Sequence, residues 1–161
     1  MEKRTEKKTE KKSLEGQVRL EITGGQGEIT TAISARCYYK NKSYYLLFQE
    51  GIGEDGRENA VVFSSRLKIS EDQVTLRRST PGEDGQSSRP VMEMVYRVTP
   101  PDAPGHFMDY PTPYGKLHLE IRTDELTVRE TEEEVTVTVQ YRLMQEDQEA
   151  SRARLTIWIH R

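Results

Sequence analysis

From Gln17 onward apolar and polar residues alternate with a period of two, and this alternation limits the fold more than any other feature of the chain. Side chains of a strand point alternately to its two faces, so such a pattern predicts strands buried on one side and solvated on the other. Val18, Leu20 and Ile22 share one face of a first strand, and Ile33, Ala35, Cys37 and Tyr39 share a face of a second, which ends at an Asn41-Lys42 turn. A third strand runs from Tyr44 to Gln49. After the glycine-rich stretch Gly51 to Gly56, Val61, Phe63, Leu67 and Ile69 have one parity. Glu71-Asp72 then turns the chain into Val74, Leu76 and Arg78. Beyond a Pro81 to Ser88 loop come Met92, Met94 and Tyr96, then a long proline-containing loop ending near Tyr110. Leu117, Leu119 and Ile121 follow, then Leu126 and Val128, then Val135 to Leu143, and finally Leu155, Ile157 and Ile159. No long apolar repeat of helical period interrupts this series. The prediction is an all-β, single antiparallel up-and-down barrel of 8 to 10 strands, since an open sheet would need a further layer over its apolar face and closure removes exposed edges.

The opening residues Met1 to Lys12 repeat Glu-Lys-Lys-Thr-like units and contain no apolar residue after Met1. A segment with nothing to bury does not offset its ordering entropy, so residues 1–14 are assigned to a charged flexible tail and residues 15–161 to the barrel domain. The interleaved Glu2, Glu6 and Glu10 weaken any reading of the tail as a basic arm. A formal net charge of −3 argues against a dedicated nucleic-acid binder, which needs Lys and Arg gathered on one surface. The single cysteine, Cys37, forms no internal disulfide, and no apolar run is long enough to span a bilayer, so a cytoplasmic location away from membranes is expected.

The segment Tyr110-Pro111-Thr112-Pro113-Tyr114-Gly115-Lys116-Leu117, followed by Leu119-Glu120-Ile121 and Thr123, resembles the YwiB-like family of uncharacterised bacterial proteins, domain of unknown function 1934. Val74-Thr75-Leu76-Arg77-Arg78-Ser79 is similar to the strand that precedes the family's turn, and Tyr44 and Tyr45 fall in its third strand. The resemblance covers roughly Gln17 to Ile159 and implies a calycin-like, lipocalin-type barrel in a bacterial cytoplasm. This chain carries a longer insertion, Thr99 to Met108, before the turn. The family lends no activity.

No motif specifies catalysis. His106, His118 and His160 lack metal-ligand spacing, and His118 has the parity of Lys116 and Glu120, which predicts a solvent-facing ring. Gly24-Gly25-Gln26-Gly27 precedes no helix, so it reads as a hairpin turn rather than a phosphate loop. Cys37 shares the parity of Ile33 and Ala35 and reads as a small buried residue. Glu132-Glu133-Glu134 reads as a solvated turn, and no metal or cofactor is expected. Trp158 lies opposite Leu155, Ile157 and Ile159, so its outward indole is expected to pack against a loop or a second copy of the chain, which keeps a homodimer open. Arg78 shares the parity of Val74 and Leu76, placing a guanidinium on an otherwise apolar inner face.

The candidate ligand-binding set is therefore Arg78, Met92, Met94, Tyr96, Tyr110, Tyr114 and Tyr141, with the arginine meeting an anionic group and the tyrosines offering ring and hydroxyl together. Non-enzymatic binding of a small amphipathic or anionic ligand in the barrel is the leading expectation. The alternatives are an interaction module whose barrel is filled by its own side chains, and a small hydrolase or isomerase.

Overall fold

The computed structural model describes residues 14–23, 29–52, 61–81, 88–112 and 114–161. They form ten strands: β1 (Leu14–Thr23), β2 (Ile29–Lys40), β3 (Ser43–Ile52), β4 (Val61–Ile69), β5 (Val74–Pro81), β6 (Ser88–Tyr96), β7 (His106–Thr112), β8 (Gly115–Glu130), β9 (Glu134–Gln145) and β10 (Gln148–His160). All pair antiparallel in one sheet of order β6-β5-β4-β3-β2-β1-β10-β9-β8-β7. The first and last strands pair along most of their length, from Glu15 opposite His160 to Thr23 opposite Arg152, so the sheet curls into a nearly closed up-and-down barrel. Its seam lies between β6 and β7.

Side-chain parity puts the core where the alternation predicts. Leu46, Leu67, Val74, Val135, Val137, Val139, Ile157 and Ile159 are completely buried or nearly so, and Cys37 is buried among them. Burying each large aliphatic side chain contributes on the order of 2 kcal/mol. Asn41 and Lys42 both have positive φ, 51° and 63°, the geometry of a two-residue hairpin whose twist matches the strands it joins. Glu146 and Asp147 build the same turn between β9 and β10 with φ of 51° and 64° and no glycine, which is why composition does not announce it.

Three differences from the sequence reading have local causes. Leu117–Ile121 and Leu126–Val128 belong to one strand, β8, whose register shifts between Thr123 and Glu125. The inserted Asp124 moves the inward parity from Leu119, Ile121 and Thr123 to Leu126, as a one-residue bulge must. Arg142 of β9 clamps that bulge with a fork of hydrogen bonds to Asp124, Nε to Oδ2 at 2.9 Å and Nη2 to Oδ1 at 2.8 Å. Second, the segment before Tyr110 is not all loop: His106 to Thr112 is a strand, and Tyr110-Pro-Thr-Pro-Tyr-Gly is the β7–β8 hairpin, with Gly115 at φ 121°. Third, β1 begins at Leu14, which pairs with Cys37 and so belongs to the barrel rather than the tail. The tail proper, the Gly24–Gly27 turn, most of the Gly51–Gly56 turn and most of the Pro81–Ser88 loop lie outside the described residues, as do the side chains of Val61 and Phe63.

The seam is closed by the segment between β6 and β7. Val98 bridges to Thr123 of β8 in parallel, and Gly105 lies so close to β8 that a Cβ there would overlap the Ile121 carbonyl. The Gly105 N–H donates to Glu120 Oε2 at 2.7 Å, and Arg122 Nε donates to the same oxygen at 3.0 Å. Glu120 has outward parity yet is only 6% exposed, because this segment covers it.

Candidate functional site

Because neighbouring strands run in opposite directions, β1, β3, β5, β7 and β9 end, and β2, β4, β6, β8 and β10 begin, at one end of the barrel, here called the mouth. Among the described residues, inward-facing side chains near the mouth include Leu20, Ile22, Ile33, Tyr110 and Leu143, apolar or aromatic and only half-buried. Arg78 joins them from β5, also half-buried. It keeps the inward parity of Val74 and Leu76, and beside it β6 carries a second bulge: Arg78 pairs with Met92 while Ser79 pairs with Pro90, leaving Val91 as the extra residue of β6. Proline has no N–H to give a ladder, so it sits naturally at such an irregularity, and bulges re-aim the side chains beside them.

Below the mouth the interior is dense. Met92, Met94, Tyr96 and Tyr141 are all at least nine-tenths buried, and the Tyr96 and Tyr141 rings meet across the seam, 4.6 Å between centroids at 51°. Burial pushes the Tyr141 phenol above its usual range, while a hydrogen bond from Tyr96 and the positive charge of Arg78 pull the other way, and the Tyr110 phenol adds to the upward shift. The guanidinium and three phenols therefore share one electrostatic neighbourhood. Thr123, opposite Tyr141 on β8, turns its side chain inward, and its Oγ1 is the buried side-chain oxygen without a hydrogen-bond partner among the described residues.

Six of the seven residues singled out from sequence thus come together, Arg78 and Tyr110 at the rim and Met92, Met94, Tyr96 and Tyr141 beneath them. Tyr114 does not join them: it is completely exposed, just before Gly115 where β8 begins. The sequence gives no hint of Thr123, whose inward orientation depends on where the β8 bulge falls.

The remaining candidates have structural roles. The Cys37 thiol is pushed up to about 12 by burial, which leaves it protonated and unreactive. His118 is exposed, with Nδ1 3.1 Å from Asp109 Oδ1 and its ring stacked on Phe107 at 5.6 Å. In the acidic turn, Glu132 and Glu133 are exposed, whereas Glu134 accepts a hydrogen bond from Thr136 Oγ1 at 3.0 Å. Trp158 is half-buried, and the Arg19 guanidinium of adjacent β1 lies 5.6 Å from its ring centroid. A neighbouring cation is enough to shield half an indole face. Among the described residues no three His, Cys, Asp or Glu side chains converge as a metal site, and no helix is long and apolar enough to cross a membrane.

The family model described as "Domain of unknown function (DUF1934)" matches residues 13–157. The crystal structure of ywiB protein from Bacillus subtilis superposes with a TM-score of 0.65 over 96% of each chain at 18% sequence identity, a likeness of fold. No curated protein matches.

Proposed function

The chain belongs to the family described as domain of unknown function DUF1934, and since that description brings no chemistry with it, we propose from the geometry that this barrel is a non-enzymatic binding protein for a small anionic amphiphile. The observation that carries the reading is Arg78, a guanidinium of inward parity at a rim whose described residues include half-buried Leu20, Ile22, Ile33, Tyr110 and Leu143, with buried Ser65 opposite it on β4. An apolar ligand body would lie on those side chains and its anionic head would reach Arg78, which keeps its charge at any accessible pH. The phenols of Tyr110 and Tyr141 would add donors to the same head group. Buried Met92 and Met94 would form an adaptable floor, since an unbranched thioether fits irregular shapes.

The test uses two fluorescent probes of similar size, an anilinonaphthalene sulfonate and an uncharged naphthylamine. Arg78→Met should weaken the sulfonate by about tenfold or more, equivalent to ~1.4 kcal/mol, and leave the uncharged probe nearly unchanged. Arg78→Lys should restore part of the loss. Equal affinity of wild type and Arg78→Met for the sulfonate, with both proteins folded, would end the proposal.

A further inference from the structure

The outer surface of β2–β5 carries a second feature that overall composition conceals. Its outward described positions include Arg36 and Lys40 of β2, Arg66 and Lys68 of β4, and Arg77 of β5, and none of them is acidic. Register aligns three of the cations. Arg36 pairs with Leu47, Leu47 with Arg66 and Arg66 with Arg77, so the arginines form one row across four strands, roughly 14 Å long at the spacing of paired strands. Among the described residues none of these five cations makes an ion pair.

Two tyrosines stand beside the row. Tyr38 and Tyr45 are directly paired on β2 and β3, and their rings stack at 5.0 Å with 11° between planes. The Arg66 guanidinium and the Lys68 ammonium lie 5.9 and 5.8 Å from the Tyr45 centroid. On the side towards β1, Arg36 and Leu47 also line an open cleft of about 760 Å³, whose other walls include Gln17, Ser34, Gln49 and Ser64, with one carboxylate, Glu15, opposite Arg36. Cations in a row, an aromatic stack among them and a polar cleft alongside are the elements that hold a flexible polyanion bearing flat rings.

We infer that the β2–β5 face binds single-stranded nucleic acid. Phosphates lie along Arg36, Arg66 and Arg77, with Lys40 and Lys68 at the flank, and a base stacks on the Tyr38–Tyr45 pair. The net charge of −3 averages over the surface, whereas phosphate contacts depend on local charge: exposed Glu15 of β1 and Glu93 of β6 stand at the two ends of the row, opposite Arg36 and Arg77, and no described outward position between them is acidic. The tyrosine stack favours a nucleic acid over an acidic protein segment, since carboxylates need cations but no ring platform. This site is separate from the barrel mouth, so either can fail without the other.

The test is fluorescence anisotropy of the full chain with labelled oligouridylate and oligothymidylate of about twelve nucleotides, using polyphosphate and oligoglutamate as competitors. Both oligonucleotides should bind at low salt, and the tighter one identifies the preferred sugar. The logarithm of affinity should fall with that of salt at about −0.7 per phosphate, a slope between about −2 and −3.5 for three to five contacts. Arg66→Gln with Arg77→Gln should lower affinity about tenfold or more and flatten that slope, whereas Arg66→Lys with Arg77→Lys should preserve most of it. Tyr38→Leu should weaken the oligonucleotides without changing polyphosphate. Arg142→Gln, at an arginine on β9 already paired with Asp124, should leave the oligonucleotide affinity and its salt slope unchanged. Unchanged thermal midpoints would show the variants are folded. Competition by polyphosphate or oligoglutamate as effective as by unlabelled oligonucleotide would overturn the inference, as would binding insensitive to Arg66 and Arg77.

Discussion

The two ends of this barrel are built from the same strands and obey the same parity, yet they are finished differently. At the end opposite the mouth, Leu46, Leu67, Val74, Val135, Val137, Ile157 and Ile159 leave almost no surface to water. Three of the four connections there are tight, the fourth is the segment that closes the seam between β6 and β7, and Arg161 Nη2 donates to the Tyr44 hydroxyl at 3.0 Å. Towards the mouth, inward positions pass to half-buried Leu20, Ile22, Ile33 and Leu143, and to Arg78, Tyr110 and Thr123, which bring polar atoms to the inner face. Parity decides which face a residue takes; depth along the strand decides what occupying that face is worth. The closed end supplies stability and the mouth can hold chemistry that a sealed core would exclude.

The sharpest way to break this comparison is to make the same change at both ends. Ile157→Ala removes a completely buried side chain and should cost about 2–5 kcal/mol, whereas Leu20→Ala, half-exposed at the mouth, should cost about 1 kcal/mol. At roughly 2–4 °C per kcal/mol for a chain of this size, thermal unfolding separates the two outcomes clearly. Equal losses would mean that the mouth is as tightly packed as the closed end.

Much of this architecture is legible in the sequence, and its limits are physical. Period-two alternation places Val18, Leu67, Val74 and Ile157 inside without knowledge of their partners, because parity is a local property. Asn41-Lys42 is recognisable as a turn from composition, while Glu146-Asp147 takes the same backbone shape because the paired strands require it. What one strand does not contain is its register against the next. The alignment of Arg36, Arg66 and Arg77 depends on the register of three successive strand pairs and cannot be seen in a linear count of charges. The burial of Glu120 depends on a segment that crosses the seam from β6 to β7, and the meeting of Tyr96 with Tyr141 depends on how the barrel closes.

That seam sets an intermediate effect. Glu120 is buried, and the hydrogen bond from Arg122 is the largest influence holding its carboxyl below the ordinary range, outweighing the upward push of burial, with help from the Gly105 N–H and the charges of Arg122 and Arg142. A depressed folded-state pKa stabilises the protein above the unfolded value near 4.5, and this contribution is lost as pH falls through the lower folded value. Glu120→Gln should therefore cost about 1–3 kcal/mol near neutral pH, and the gap from wild type should narrow on acidification below about pH 4. Chemical denaturation across that range measures it. A pH-independent gap would show that Glu120 closes the seam by shape rather than by charge.

The smallest effect has the opposite sign and tests how far the polar character of the mouth extends. Thr123 Oγ1 is buried opposite Tyr141 without a hydrogen-bond partner among the described residues, although the residue itself is only 7% exposed. A hydroxyl withdrawn from water and left unpaired costs about 1–3 kcal/mol relative to one that is satisfied. Thr123→Val replaces it with a methyl of similar shape, so the variant should be more stable by about 1 kcal/mol, raising the midpoint by roughly 2–4 °C. If the hydroxyl instead holds an ordered water or the head group of a bound molecule, the same substitution should destabilise the purified protein and weaken the sulfonate probe together. A gain in stability with unchanged probe affinity would place the boundary between mouth and sealed interior above Thr123, at the level of Arg78 and Tyr110. A loss in both would carry the binding site down to the Tyr96–Tyr141 pair.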